Sequence, residues 1–261
     1  MMKEGHYIGV TGITVADVNP VKKIIEDTFI GDGRVDLMAM AGFLVSNRTL
    51  NRDKTSLKYP KIAELSALLE ATQSPKVFNT IHYNTQNGED LSQEVLEVFK
   101  RVGDTSSLID GIQLNLAWPG INQIADIKAA HPEIKLIFQY GPTMHEETNQ
   151  VADKLASYAD FVDYVLLDSS AGRGLDFTIE DMKRKYAFIK KSLPKKLVVF
   201  AGGISAYSVA ERITELRKIT EGERFSIDAE TKLRIDDSKN KPLDLVNIRR
   251  YLQTAYQSLS K

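Results

Sequence analysis

The 261-residue sequence contains no cysteine. This absence excludes disulfide bonds, thiolate metal sites and a cysteine acting as nucleophile or base, because each of these needs a thiol. Long apolar runs are also absent, and no window approaches the roughly 18 consecutive apolar residues that a membrane-spanning helix requires. The N-terminus, Met1–Val10, has no apolar segment of the signal-peptide kind, so we expect a cytoplasmic protein with no membrane partner.

An excess of charge of either sign is lacking as well. The 34 Lys and Arg residues nearly balance the 35 Asp and Glu residues, which gives a formal net charge of -1 at pH 7. The net charge therefore gives no overall electrostatic attraction to nucleic acid, and we expect no nucleic acid as a partner. With 43% hydrophobic residues the chain can build a large core, and its length suits one α/β barrel or two small domains.

Short apolar runs recur along the sequence, each with the length and composition of a buried parallel strand. They are Tyr7–Thr11, Val35–Val45, Lys76–His82, Gly111–Leu116, Lys135–Tyr140, Val162–Asp168, Leu197–Ala201 and Phe225–Asp228. Segments with helical spacing lie between them, at Tyr59–Ala71, Leu91–Val102, Asn122–Ala130, Glu146–Tyr158, Ile179–Leu193, Tyr207–Ile219 and Leu243–Leu259. This alternation predicts a single-domain α/β fold, a (β/α)8 TIM barrel over residues 1–261. An open doubly wound sheet is the alternative, disfavoured because no glycine fingerprint follows the first strand.

Several predicted strands end in a polar residue, which the two-residue period of a strand places on the inward face. These residues are Thr11, His82, Asn115, Gln139, Asp168 and Asp228. Buried polar groups are costly unless they are paired. The set therefore predicts a ligand site at the C-terminal mouth of the barrel, where enzymes of this fold carry their active sites. The alternative is that these side chains only hydrogen-bond one another at a wet rim.

Two glycine loops follow the sixth and seventh predicted strands at the same end. Their residues are Gly172, Arg173 and Gly174 in the first loop, and Gly202 and Gly203 in the second. Backbone N–H groups of such loops can hold a phosphate, although the glycines could also serve tight turns alone. Arg48, in the long polar segment 46–58, is a further candidate for binding an anion, against the alternative of a solvated loop arginine.

Motifs at these strands, taken in order, resemble one enzyme family. They are VTGIT at Val10–Thr14, GIQLN at Gly111–Asn115, LLD at Leu166–Asp168, the glycine loop with Asp176–Phe177, AGGI at Ala201–Ile204, and SID at Ser226–Asp228. The sequence is similar along nearly its whole length to phosphoribosylanthranilate isomerase, a barrel enzyme of tryptophan biosynthesis. The resemblance implies an Amadori-type isomerisation of a phosphorylated sugar derivative, with Asp168 as the general acid that protonates the ring oxygen. We expect no cofactor and no metal.

The sequence departs from that family at the catalytic base. The family uses a cysteine to remove the C2 proton, and this chain has Thr11 in its place. A hydroxyl does not ionise near neutral pH, so Thr11 cannot act as that base. Asn115 also stands where the family has a histidine. The base must therefore come from elsewhere, and His82 and Asp228 are the candidates.

A second departure lies after the eighth strand, where the family has a small serine- and glycine-rich loop around the phosphate. Glu230 puts a negative charge there, and Lys232 and Arg234 are candidates to compensate it. Three interpretations follow. The first is a phosphoribosylanthranilate isomerase-like enzyme that binds a small phosphorylated or anionic metabolite. The others are a diverged isomerase or lyase acting on another small anion, and a catalytically silent barrel that binds a ligand or a partner. The sequence predicts no particular oligomeric state.

Overall fold

The computed structural model describes residues 5–29, 36–52, 56–85, 88–116, 118–141, 147–168, 178–238 and 241–260. Within these ranges eight strands form a closed barrel, in which every strand runs parallel to its neighbours and the last pairs with the first. The strands are β1 (His6–Thr11), β2 (Leu37–Ser46), β3 (Val77–Asn84), β4 (Gly111–Leu114), β5 (Lys135–Tyr140), β6 (Tyr164–Asp168), β7 (Leu197–Ala201) and β8 (Phe225–Ala229). The predicted TIM-barrel fold is confirmed.

Helices of the described residues surround the barrel and follow the strands in order. They are α1 (Val18–Phe29), α2 (Asn47–Arg52), α3 (Leu65–Thr72), α4 (Leu91–Val102), α5 (Ile121–Ala130), α6 (Asn149–Ala156), α7 (Ile179–Ser192), α8 (Val209–Ile219) and α9 (Leu245–Leu259). Side-chain oxygens of Thr148, Thr178 and Asp244 cap the first turns of α6, α7 and α9. Helix α1 packs against α9, which closes the outer ring. None of the described helices is long and apolar enough to cross a membrane.

The ends of several strands differ from the prediction by one or two residues. Strand β2 begins at Leu37, and the predicted first residue, Val35, lies outside the described residues. Strand β4 ends at Leu114 instead of Leu116, and β3 continues to Asn84. The end of a strand is set by backbone hydrogen bonds and need not coincide with the end of an apolar run, and β3 includes the polar, exposed Asn84.

Three helical segments also differ from the prediction. Helix α1 is not among the helical segments named from the sequence, although its buried residues Val18, Val21 and Ile25 lie at spacings of three and four. The segment predicted as one helix from Tyr59 divides into a 3₁₀ turn at Ile62–Glu64 and the shorter α3. In the polar segment 46–58, Ser46 ends β2 and the next six residues form α2.

The interior of the barrel is filled by alternate side chains from the strands. Near its N-terminal end, Tyr7, Phe78 and Tyr164 form an aromatic layer with ring centroids 5.5, 5.7 and 5.9 Å apart. The Tyr164 hydroxyl donates a hydrogen bond to the Gly5 carbonyl at 2.8 Å. These rings pack in one cluster with the apolar side chains of Met38, Met40, Ile137, Leu166, Val199 and Ala201. The polar ends of the strands therefore rest on a packed apolar base.

Candidate active site

A cavity of about 360 Å³ opens at the C-terminal ends of the strands. Its wall includes these predicted site residues: Thr11, His82, Asn115, Gln139, Asp168, Gly202, Gly203 and Asp228. They lie on or directly after seven of the eight strands, far apart in the sequence. The two-residue period of each strand brings them together, because inward positions at the ends of parallel strands converge at the mouth.

The remaining predicted residues are not in this wall. Arg48 is exposed on α2 and does not line the cavity. The chain turns into a helix directly after β2 instead of forming an open loop, and an anion-binding role for Arg48 stays a prediction. Gly172, Arg173 and Gly174 lie outside the described residues.

Thr11 and Asp228 form a hydrogen-bonded pair in the cavity wall. The Thr11 hydroxyl donates to the carboxylate of Asp228, and its Oγ1 lies 2.9 Å from Oδ1 and 3.0 Å from Oδ2. Strands β1 and β8 are neighbours, and Gly9 stands opposite Asp228 in their register. A Cβ atom at Gly9 would lie 2.5 Å from Asp228 Oδ1, so glycine at this position makes room for the carboxylate.

The electrostatic setting of Asp228 is unusual for an aspartate. Burial raises its pKa from 3.8 to about 7. The negative charges of Glu230 and Asp168 also raise this pKa, whereas hydrogen bonds from Thr11 and from the backbone N–H of Ala229 lower it. A carboxyl with a pKa near 7 is populated in both protonation states at neutral pH and is suited to accept or donate a proton.

His82 lies on the inner face of β3 and is buried. Burial lowers the pKa of its imidazole from 6.5 to about 3, and its Nε2 has no hydrogen-bond partner among the described residues. A Cβ atom at Gly42 would lie 2.9 Å from this Nε2, so that glycine admits the ring. An imidazole with so low a pKa is a poor proton acceptor at pH 7, which argues against His82 as the replacement base. Within the described ranges, no three His, Asp or Glu side chains come together as a metal site.

Side-chain amides line the part of the wall formed by β4, β5 and β6. Gln113 Nε2 donates to Asn115 Oδ1 at 2.7 Å. Gln139 Nε2 donates to Asp168 Oδ2 at 3.5 Å, at the long end of the hydrogen-bond range. Asp168 is only 6% exposed. The amide of Gln139 therefore supplies a neutral donor to the predicted general acid and adds no charge beside it.

Gly202 and Gly203 form the turn after β7 and face the same cavity. Their φ angles are +95° and +67°, in the region that residues with side chains rarely adopt. The turn itself therefore requires glycine at both positions. A phosphate-binding role for this turn stays a prediction.

A charged cluster in the cavity wall was only partly visible in the sequence. Lys58 Nζ lies 3.0 Å from Glu230 Oε1, and Arg234 Nε lies 3.5 Å from the same oxygen. Arg234 is thus one of the two cations predicted to compensate Glu230. Lys232 instead pairs with Asp237 at 3.2 Å. The sequence did not predict a role for Lys58, because this residue lies 172 positions from Glu230 and belongs to no recognisable motif.

Arg234 has a fully buried side chain that joins three segments of the chain. Its Nη1 donates to the Lys241 carbonyl at 2.9 Å, and its Nη2 donates to the Gly12 carbonyl at 3.2 Å. Gly12 has a φ of +85°, and a Cβ atom there would collide with Nη2. The guanidinium therefore fixes the loop after β8 against the end of β1, next to the pair formed by Thr11 and Asp228.

No protein-family model matches the sequence, and no curated protein matches it. Solved structures do match its fold. TrpF from Jonesia denitrificans has a TM-score of 0.61 at 16% identity, with 98% of both chains covered. Tryptophan synthase subunit alpha from Legionella pneumophila str. Paris has a TM-score of 0.62 at 10% identity, covering 98% of this chain and 93% of that one. The catalytic domain of a hyperthermophilic chitinase from Pyrococcus furiosus has a TM-score of 0.61 at 9% identity, covering 100% and 96%. At these identities the similarity establishes the barrel fold alone.

Proposed function

We propose that the protein is an isomerase that carries out an Amadori-type aldose–ketose rearrangement of a phosphorylated sugar derivative. Asp168 serves as the general acid and Asp228 as the base. One observation carries the proposal: Thr11 stands where the resembling family has its cysteine base, and its hydroxyl is hydrogen-bonded to Asp228 at 2.9 Å. A proton acceptor is therefore present one side chain away from the position where the family places it.

The two carboxyl groups divide the reaction between them. The reaction begins from the state in which the proton lies on Asp168 and Asp228 is ionised. Asp168 gives this proton to the ring oxygen of the sugar, and the C1–O bond breaks as the amine nitrogen forms a double bond to C1. The carboxylate of Asp228 then takes the proton from C2, and the C2–H electrons form a C1–C2 double bond while the C1–N electrons return to nitrogen. Transfer of a proton from O2 to C1 completes the 1-amino-2-ketose, and proton exchange with water then returns a proton to Asp168 and removes one from Asp228.

The environment of Asp228 suits the second step. A base is most effective when its pKa lies near the working pH, and burial raises the pKa of Asp228 to about 7. The Thr11 hydroxyl holds both carboxylate oxygens and so fixes the orientation of the group. In this proposal Thr11 occupies the position of the family's cysteine base, but it orients Asp228 and does not itself accept a proton.

The fold similarity supports the location of the site more than the reaction. The matches to TrpF, to tryptophan synthase subunit alpha and to a chitinase domain have nearly equal TM-scores. Enzymes with this barrel have their active sites at the C-terminal face, where the cavity lies. The choice of an isomerase rests on the resemblance of the strand motifs and on the pairing of two carboxyl groups in one cavity.

Turnover of phosphoribosylanthranilate tests the proposal directly, because consumption of this compound is followed by loss of its fluorescence. We expect Asp168→Asn and Asp228→Asn each to lower kcat/KM by about 100-fold or more. Asp104→Asn, at an exposed carboxyl outside the cavity, serves as the matched control and is expected to keep wild-type activity. Wild-type protein without turnover above background would remove this substrate, and full activity in Asp228→Asn would remove the assigned base.

One observation favours a related reaction on another anion. The ion pair of Lys58 and Glu230 lies in the cavity wall, and neither residue belongs to the motifs that carry the resemblance. A panel of phosphorylated sugars, scored by the shift in melting temperature and then by turnover, separates the interpretations. A compound other than phosphoribosylanthranilate that is both bound and converted indicates a diverged isomerase or lyase. Binding without conversion of any compound indicates a silent barrel.

A further inference from the structure

We infer that Lys58 is the residue that recognises the anionic group of the ligand, and that Glu230 holds it in place until an anion displaces the pair. The ligand would carry a small oxyanion, either a phosphate or a carboxylate. This inference rests on the proposed function only in placing the ligand in the same cavity. It adds a specificity-determining residue that no strand motif contains.

Glu230 is shared by two cations that are held very differently. Arg234 is fully buried, and its guanidinium also donates to the Gly12 and Lys241 carbonyls. Lys58 keeps 21% of its side chain exposed, and its ammonium makes one described hydrogen bond, to Glu230 at 3.0 Å, and lies 5.8 Å from the centroid of the Tyr59 ring. Arg234 is therefore the fixed partner of the carboxylate, and Lys58 is the partner that can move.

The charges favour an exchange of partners when an anion arrives. Lys58, Glu230 and Arg234 together carry a net charge of +1, from two cations and one anion. If Lys58 turns to an incoming oxyanion, Glu230 still has the guanidinium beside it, so no carboxylate is left without a cation. A neutral ligand offers Lys58 nothing to replace Glu230, since ammonium groups are costly to desolvate without a charged acceptor. Competition from Glu230 therefore selects anions over neutral sugars.

The position of the pair places this selection at the reaction site. Lys58 follows β2 and Glu230 follows β8, and these two strands flank β1. The ion pair thus spans the end of β1, where the Thr11 hydroxyl donates a hydrogen bond to Asp228. Glu230 also raises the pKa of Asp228 through its charge, which shows that the two carboxyl groups are electrostatically close. An anion held by Lys58 would lie within the same cavity as the proposed base.

Binding of inorganic phosphate and of acetate, measured by calorimetry on the full chain, tests the inference without any turnover. Lys58→Met is expected to weaken binding of the recognised anion by about ten- to a hundredfold, the usual effect of losing a hydrogen bond to a charged group. Lys58→Arg is expected to retain most of the affinity. Glu230→Gln is expected to tighten binding severalfold, because it removes the competitor for Lys58. If the ion pair were merely structural, the Lys58→Met and Glu230→Gln substitutions would not change the anion affinity in opposite directions.

Lys190 and Glu223 provide the matched control. Their ion pair is 2.7 Å long, Lys190 is 21% exposed like Lys58, and neither residue lines the cavity. Lys190→Met and Glu223→Gln are expected to leave the affinity unchanged. Lys58-dependent binding of phosphate or of acetate alone identifies the group and supports the inference.

The inference is overturned if neither anion binds, if Lys58→Met binds as the wild type does, or if Glu230→Gln binds more weakly. Circular dichroism checks that each variant is folded. If Glu230→Gln does not fold, the anion affinities of Lys58→Met and Lys58→Arg decide whether the inference stands. Failure of the proposed isomerase reaction looks different. Lys58-dependent anion binding with no turnover leaves this inference intact, whereas turnover with an unchanged KM in Lys58→Met removes it and leaves the reaction.

Discussion

Replacing Asp228 with asparagine is expected to make the protein more stable at pH 8 than the wild type, even though it removes a charged, hydrogen-bonded side chain. The reason is the pKa of this carboxyl, which burial raises from 3.8 to about 7. Between these values the unfolded chain has an ionised carboxylate while the folded protein keeps its proton. The folded state then binds more protons, so the free energy of unfolding falls as the pH rises through this window.

The size of this effect follows from the shift. A rise from 3.8 to about 7 is about three pKa units, and at about 1.4 kcal/mol per unit it corresponds to about 4 kcal/mol. This stability is present below pH 4 and is lost once the pH exceeds about 7. Asparagine cannot ionise, so the Asp228→Asn variant does not lose this stability as the pH rises. Its Oδ1 can still accept the hydrogen bond that Thr11 donates to the aspartate.

Urea unfolding of both proteins at intervals from pH 4 to pH 8 measures the difference. We expect the variant to gain about 4 kcal/mol on the wild type across this range, with nearly all of the change between pH 4 and 7. Carbon-13 titration of the Asp228 carboxyl by NMR should show a midpoint near 7 in the folded protein. Parallel stability profiles, or a midpoint near 4, would refute the account of Asp228 as a buried carboxyl that titrates near neutral pH.

Other substitutions around the end of β1 should have distinct effects. Thr11→Val removes a hydrogen bond that lowers the pKa of Asp228, so the rise of kcat/KM with pH should move to higher pH, and an unshifted profile would contradict the positioning role. Gly12→Ala should destabilise by more than about 1 kcal/mol in urea, and by more than Gly222→Ala, which has the same φ of +85° but open space around it. Arg234→Met should cost about 2–3 kcal/mol, because it leaves the Gly12 and Lys241 carbonyls without the buried guanidinium and leaves Glu230 with Lys58 as its one described cation. A loss below 1 kcal/mol would show that this cluster does not depend on the arginine.

The barrel could be predicted from the sequence because its strands have a strong signal. Each is a short apolar run with a polar or small residue at its end, and the ladder of parallel pairs follows from their number and spacing. Helix α1 could have been found in the same way, since its buried residues repeat at helical spacing. The division of the segment from Tyr59 into a 3₁₀ turn and α3 could not, because both parts have apolar residues compatible with one helix.

Only those residues of the candidate site that lie at strand ends could be predicted from the sequence. Asp228 and Thr11 could be placed together because they end neighbouring strands on the inward face. The pKa of His82 could not be foreseen, since it depends on how completely the imidazole is buried. Gly9 and Gly42 carried a usable signal, because a glycine inside a strand often marks the close approach of another group. The contact of Lys58 with Glu230 joins two loops, and loop conformation is set by tertiary packing that no local pattern reports.

The aromatic layer of Tyr7, Phe78 and Tyr164 has a consequence for how ligands come and go. These rings are at most 3% exposed and close the barrel beneath the cavity. Among the described residues, these rings therefore close the cavity on the side of the barrel axis. In the proposed reaction, substrate and product would both pass through the opening at the C-terminal ends of the strands. A compound that occupies this opening should then act as a competitive inhibitor.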